Sequence, residues 1–275
     1  MPLLPLPQPY DFELSTERYR IFGPDLANLW QDGALHRVIA GREIRIQSAP
    51  DGVRVTALNR RTEPVLSKLL GLEFDLGSVA SLASREPVLA RVEPTLRGLR
   101  PPLAPDPFES LVTSITAQQV SLFAAFAIRN RLIVRFGRQA GHAYSFPTAE
   151  RLARASDGEL VALGFSRRKA SYVLALARTE LDLQGLALLP DDEVKTVLQA
   201  LPGIGEWTAD WFLARHLARP RAWPAGDLGL RKAVSAFYAG GRPLSTEEVR
   251  EMGDRFDPFQ NLAAHYLLAG ARRLQ

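Results

Sequence analysis

The 275-residue chain contains no cysteine. That absence removes disulfide staples, thiol catalysis, zinc–thiolate sites and four-cysteine iron–sulfur clusters together, and it fits a reducing compartment. Histidine is nearly as scarce: His36, His142, His216 and His265 are scattered, with no His-x-x-x-His pair, which speaks against a metal hydrolase and predicts no metal site. Lysine is confined to Lys68, Lys169, Lys195 and Lys232. The arginine excess reads as host codon usage rather than selection for guanidinium–phosphate forks. Neither Gly-x-Ser-x-Gly nor Gly-x-x-x-x-Gly-Lys occurs, so serine-hydrolase and P-loop chemistry have no support. No apolar run approaches the about 18 residues of a membrane span. The opening Met-Pro-Leu-Leu-Pro-Leu-Pro has neither the basic start nor the apolar stretch of a signal peptide, so a soluble cytoplasmic protein with no membrane contact is expected.

What is present is enough apolar residue, 46%, for a substantial interior, and a formal charge of +4 that leans mildly toward a polyanionic partner. The length suits two or three modest subdomains. His36-Arg-Val-Ile-Ala, Glu43-Ile-Arg-Ile-Gln and Val53-Arg-Val-Thr-Ala-Leu alternate apolar and polar side chains, with Asp51-Gly52 as a turn; they predict an antiparallel sheet. Residues 1–83 are therefore read as an α+β lobe that includes a short helix over Pro64 to Leu72. A helix from Glu86 and the linker Arg100-Pro-Pro-Leu-Ala-Pro-Asp-Pro107, whose prolines sustain neither helix nor central strand, fill 84–106. Beyond it, apolar residues recur at helical spacing. Residues 107–219 and 220–275 are read as two mostly helical subdomains, the first opening on a long helix broken near Gln118 to Ser121. Ser156-Asp-Gly-Glu159 and Ser245-Thr-Glu-Glu248 are capping boxes that open later helices. The fold class expected is α+β.

The stretch Leu201-Pro-Gly-Ile-Gly-Glu-Trp-Thr-Ala-Asp-Trp carries the most chemistry. Pro202, Gly203, Ile204 and Gly205 lie between two helical runs, so they predict a tight helix–turn–helix hairpin. Its glycines let an anionic oxygen approach bare N–H groups at the start of the second helix, where the helix dipole adds attraction; a phosphate fits there. Asp227 follows 22 positions after Gly205, behind Trp223-Pro-Ala-Gly and ahead of another helix. Alone it would be taken for a helix cap.

Taken together, the hairpin, the bulky Trp207 and the Pro224-x-x-Asp227 ending resemble the signature of the helix-hairpin-helix DNA glycosylase superfamily, and most resemble its bacterial 3-methyladenine DNA glycosylase II type. The layout is similar over most of the chain and closest from Leu201 to Asp227. The resemblance implies a monofunctional enzyme that flips alkylated purines out of double-stranded DNA and cleaves their N-glycosidic bonds. It implies no cofactor beyond a possible monovalent cation held by hairpin carbonyls, and no obligate protein partner. Asp227 becomes the catalytic carboxylate. Trp207 stands where bifunctional relatives carry a Schiff-base lysine; with Trp211 it would wall the base pocket, although either tryptophan could instead be a core residue. Leu228 and Leu268 match pocket positions at which the family has aromatics, and Asp210 also departs from the family pattern. The wedge that fills the flipped base's place matches Gln118 and Gln119, and Gln119 replaces an apolar residue. Arg167 and Lys169 match a segment that approaches the DNA backbone. No proton donor stands out, since Glu206 and His216 qualify only by proximity. A bifunctional oxidised-base (8-oxoguanine type) glycosylase/lyase and a non-catalytic DNA-binding hairpin protein are the alternatives.

Overall fold

The computed structural model describes residues 1–274. Five strands, β1 (Leu3–Pro5), β2 (Asn28–Gln31), β3 (Ala34–Ile39), β4 (Arg42–Ala49) and β5 (Gly52–Val55), form one antiparallel sheet in the order β1-β5-β4-β3-β2. The three strands expected from alternation are present, while β1, β2 and a short helix α1 (Phe12–Thr16) lie in the stretch that pattern reading leaves open. Asp32-Gly33 and Ala40-Gly41 close the β2–β3 and β3–β4 hairpins with positive φ at both residues of each turn. Helix α2 (Glu63–Leu69) covers the sheet, placing Leu66, Leu69 and Leu70 against Leu35, Ile46 and Val53 in the first core.

Helix α3 (Gly77–Arg85) runs across the expected lobe boundary at residue 83. Its Val79 and Leu82 are buried with Leu89 and Val92 of α4 (Pro87–Val92), and with α12 (Leu228–Tyr238) and α14 (Gln260–Arg273), in a second core separate from the sheet's. Apolar contacts therefore assign this helix to the chain's C-terminal end. The helix expected from Glu86 to Gly98 tightens into a 3₁₀ turn at Glu93–Leu96, where Pro94 has no N–H to continue the ladder. The proline-rich linker is packed rather than loose: Leu103 is buried, its N–H donates to the Lys68 carbonyl, and that of Ala104 donates to the Arg215 carbonyl.

The third core joins α5 (Pro107–Ala117), α6 (Leu122–Phe136), α7 (Ala149–Ala153), α8 (Asp157–Ala162), α9 (Arg167–Ala177), α10 (Asp191–Gln199) and α11 (Glu206–Arg215). A two-residue hairpin, β6 (Gln139–Ala140) with β7 (Ala143–Tyr144), follows α6; α13 (Thr246–Met252) lies between α12 and α14. Both expected capping boxes form. The expected break in the long helix also forms: Gln119 takes a φ of 55°, and Ser121 caps α6 by accepting from the Ala124 N–H.

A buried ionic network fastens the sheet to this helical unit. Arg37 of β3 grips Glu109 of α5 through two N–H···O bonds of 3.0 and 2.6 Å, and Arg129 of α6 reaches both Glu109, at 2.6 Å, and Asp25. Burial alone would raise both carboxyls. Arg37 and Arg129 around Glu109, and Arg129 with Asn28 around Asp25, nevertheless hold them below the ordinary carboxylate range.

Candidate active site

The hairpin joins α10 to α11 with its two glycines in different roles. Gly203 has a φ of +80°, and a methyl group there would come within 2.1 Å of the Tyr172 ring, so the position demands glycine for both conformation and space. Gly205 is the N-cap of α11 with an ordinary φ of −102°; a methyl group there would meet nothing within 4 Å. No side chain caps α11, which leaves its first N–H groups open at the surface beside a glycine. Pro202 is exposed and Ile204 is buried as the hairpin's apolar anchor.

Gln118 does not stand out as a wedge. Its amide donates to the Gly203 carbonyl at 2.9 Å and to Thr208 Oγ1 at 3.2 Å, bracing the hairpin from the α5–α6 loop. The Gly203 oxygen that a monovalent cation could use is thus already an acceptor. Gln119 remains exposed at the loop tip, flanked by Val120, Leu122 and Phe123, whose ring is 64% exposed. Sequence reading passed over Phe123, although a phenylalanine in the first turn of a helix after a polar break is the available signal.

Asp227 is the meeting point of the site. As N-cap of α12 its Oδ1 accepts from the Leu230 N–H at 2.9 Å. Its Oδ2 accepts from both indoles of α11, Trp207 Nε1 at 2.9 Å and Trp211 Nε1 at 3.0 Å. The two tryptophans reach one oxygen because residues four apart share a helix face. The preceding loop is fixed by Trp223, buried with its Nε1 donating to the Val249 carbonyl at 2.7 Å, and by the Asp227 N–H donating to the Pro224 carbonyl at 2.9 Å. An ionised carboxylate offers about four lone-pair sites. Three are taken by N–H donors, and the half-buried group keeps one free.

The tryptophans are therefore more than a wall. Trp207 is half-buried, while Trp211 is 3% exposed, with the Arg215 guanidinium 3.4 Å from its ring centroid and the His265 ring 5.9 Å away. Trp211 is thus a buried residue, stacked by Arg215 and joined to Asp227 through its N–H. Arg215 and His265 escaped sequence reading; the spacing of four between Trp211 and Arg215 was the only local sign of the first. Leu268 is half-buried between the two helical cores and lies close to Gly229, next to Asp227 in the first turn of α12. Leu228 is 61% exposed.

The remaining candidates separate cleanly. Lys169, half-buried, donates to the Thr116 carbonyl at 2.9 Å at the C-terminal end of α5, where its charge meets the helix dipole. Arg167 is exposed at the start of α9. Buried Asp210 is paired with Lys195 at 2.7 Å, and burial raises its carboxyl above the ordinary range. Glu206 is paired with Arg250 at 2.8 Å, tying α11 to α13. His216 is buried against the Ala104 carbonyl at 2.8 Å, and burial with the nearby Lys68 pushes it down to about 4.

Comparison with known proteins places the chain in a family. The description that matches, over residues 112–257, is HhH-GPD superfamily base excision DNA repair protein. The chain belongs to the HhH-GPD superfamily. Within it, the DNA-3-methyladenine glycosylase of Bacillus subtilis is 29% identical over 204 residues, 71% of this chain and 67% of that one. DNA-3-methyladenine glycosylase 2 of Escherichia coli is 29% identical over 247 residues, 84% of each chain. The solved 3-methyladenine DNA glycosylase from Archaeoglobus fulgidus superposes with a TM-score of 0.89 at 28% identity, covering all of both chains. Among the described residues no helix is long and apolar enough to cross a membrane.

Proposed function

We propose that this HhH-GPD protein excises alkylated purines of the 3-methyladenine and 7-methylguanine type from duplex DNA, and that Asp227 drives the step. The chain is an N-glycosylase of base excision repair, and DNA is its partner. The observation that carries the mechanism is the Asp227 carboxylate with three N–H donors on its two oxygens and one lone-pair site to spare.

Breaking an N-glycosidic bond leaves positive charge on the sugar. A methylated purine cation departs as a neutral base, so it carries the bonding electrons away without a general acid. The charge it leaves is met by Asp227, whose position is fixed before the reaction and costs no reorganisation during it. Water then adds to the sugar carbon, and its proton passes to solvent or to the carboxylate. Because Trp207 places its N–H edge on Asp227, its ring lies beside the sugar's place, where a cationic base can stack for about 1–2 kcal/mol. Open N–H groups at Gly205 would hold a phosphate of the same strand. Phe123 and its apolar neighbours would supply the stacking bulk that Gln119 lacks.

The enzyme is monofunctional. A lyase needs a free amine at the sugar, and Trp207 holds that position. Lys195 and Lys169 are engaged with Asp210 and Thr116, Lys68 donates to the His216 carbonyl, and Lys232 lies on α12, beyond the first turn that Asp227 caps. Incubation with duplexes carrying single alkylated bases tests this, scoring base release apart from strand breaks. Released base with breaks appearing only after alkali is the expected result; breaks without alkali would reject it.

A further inference from the structure

We infer that His36, Glu43 and His142 form a binding site for one divalent late first-row metal ion, zinc by ligand type, at the seam between the sheet and the β6–β7 hairpin. The histidines are far apart in sequence, yet the fold brings one ligand atom from each of the three residues within 4.8 Å of the others. His36 comes from β3 and Glu43 from β4; in the register that pairs Val38 with Glu43, both side chains stand on one face of the sheet. His142 comes from the turn of the β6–β7 hairpin. None belongs to the elements that build the site at Asp227.

Both imidazoles bring a ring nitrogen to Glu43 Oε1. His36 Nδ1 lies 2.9 Å from Glu43 Oε1, His142 Nδ1 lies 3.3 Å from the same atom, and the His142 backbone N–H donates to it at 2.9 Å. Three nitrogens thus converge on one oxygen that has two lone pairs. The His36 ring and the His142 backbone N–H fill those two lone pairs, and the exposed His142 ring stands beside them without a hydrogen bond of its own among the described residues. A metal ion bound here would take the lone pairs of both Nδ1 atoms and one from the carboxylate, displacing the His36–Glu43 hydrogen bond and moving the His36 ring proton to its buried Nε2. Nitrogen and oxygen ligands at about 2.0–2.1 Å from a tetrahedral zinc lie about 3.3 Å apart, which is the spacing of His142 Nδ1 from Glu43 Oε1, while the 2.9 Å of His36 Nδ1 would have to open by a few tenths of an ångström.

The surroundings are built for the carboxylate. Gly141 has a φ of +65°, and a methyl group there would fall 2.0 Å from Glu43 Oε2, so a side chain at this position would be strained and would push the carboxylate aside. The His36 side chain is 5% exposed and fixed, whereas that of His142 is 57% exposed and can adjust. Arg45, opposite His36 in the register and the cation most able to compete, turns its guanidinium to Gln47 at 2.8 Å. Two imidazoles with one carboxylate favour zinc, and also nickel or copper, over magnesium or calcium. With three protein ligands the fourth position falls to water. An ion here joins two strands of the sheet to the helical unit, so its role is structural.

Calorimetric titration of the untagged full-length protein with Zn2+, alongside titration with Co2+ read by visible absorption, tests the site. One ion per chain is expected, with a rise in melting temperature and a tetrahedral Co2+ spectrum. His142→Ala removes an exposed ring and leaves the core untouched; it should weaken Zn2+ binding by more than roughly tenfold and abolish the thermal gain. Glu43→Gln should weaken binding likewise. Absence of Zn2+ binding by the wild-type chain, or His142→Ala binding as tightly as wild type, would overturn the assignment.

Discussion

Two glycines two positions apart in the hairpin should fail in opposite ways when given a methyl group. At Gly203 the backbone has a φ of +80° and the added carbon would come within 2.1 Å of Tyr172. The left-handed conformation costs an alanine about 1–2 kcal/mol, and displacing the ring adds about 1–3 kcal/mol of overpacking. Gly203→Ala should therefore lose about 2–5 kcal/mol of stability, a fall in melting temperature of roughly 5–15 °C for a chain of this size. Gly205→Ala meets no protein atom, and its φ of −102° suits any residue. Its cost is the poorer N-cap, about 1 kcal/mol or less. On DNA the same methyl group stands in the path of a phosphate and should forfeit one charge-assisted hydrogen bond, about 1.5–3 kcal/mol, or roughly 10- to 100-fold in affinity. Differential scanning fluorimetry with duplex binding by fluorescence anisotropy at two salt concentrations separates the two losses. A Gly205→Ala protein that melts early while binding DNA normally would refute the phosphate role and make the glycine merely structural.

Other perturbations follow from the buried groups. Glu109→Gln breaks a carboxylate gripped by Arg37 and Arg129 and should cost about 3–5 kcal/mol in urea denaturation. Because Asp25 and Glu109 are held below their ordinary range, their contribution is present above the unfolded-chain values and lost as the pH falls through the folded ones; acid unfolding should steepen below about pH 4. His216 acts earlier in an acid titration. The unfolded chain takes up its proton below 6.5 while the folded chain resists until about 4, so about 3 kcal/mol should drain away across that interval, and His216→Gln should flatten it in denaturation curves at stepped pH. Trp207→Ala removes one donor to Asp227 and the stacking face together, and should slow excision in single-turnover assays by at least about tenfold.

The parts legible in the sequence were those written in local chemistry. Pro202, Gly203 and Gly205 announce a hairpin because few other residues can turn that tightly, and the strand alternation from His36 to Leu58 reports a sheet with one buried face. The capping boxes at Ser156 and Ser245 are contained within four residues each. What stayed hidden depends on partners distant in the chain. Gln118 looked like a wedge because its partner Gly203 lies 85 residues away, and Lys169 looked free because its partner Thr116 lies 53 residues away. Helix α3 sits next to the lobe in sequence, yet its apolar side chains are claimed by α14. Trp211 reads as a wall on a helical wheel; only the fold shows Arg215 already stacked on it. The His36–Glu43–His142 cluster needed three elements from two units of the molecule.

Asp227→Asn is the most direct test of the central claim. The amide has one acceptor oxygen where the carboxylate had two, so it can satisfy either the two indoles or the Leu230 N–H, and a stability loss of about 1–2 kcal/mol is expected without unfolding. The measurement is single-turnover release of a methylated purine from duplex DNA, with binding to the same duplex measured in parallel. The account predicts retained binding and a fall in the excision rate of about 10²–10³ or more, the scale of losing one preorganised electrostatic partner of the transition state. An Asp227→Asn enzyme that binds normally and excises at close to the wild-type rate would contradict it.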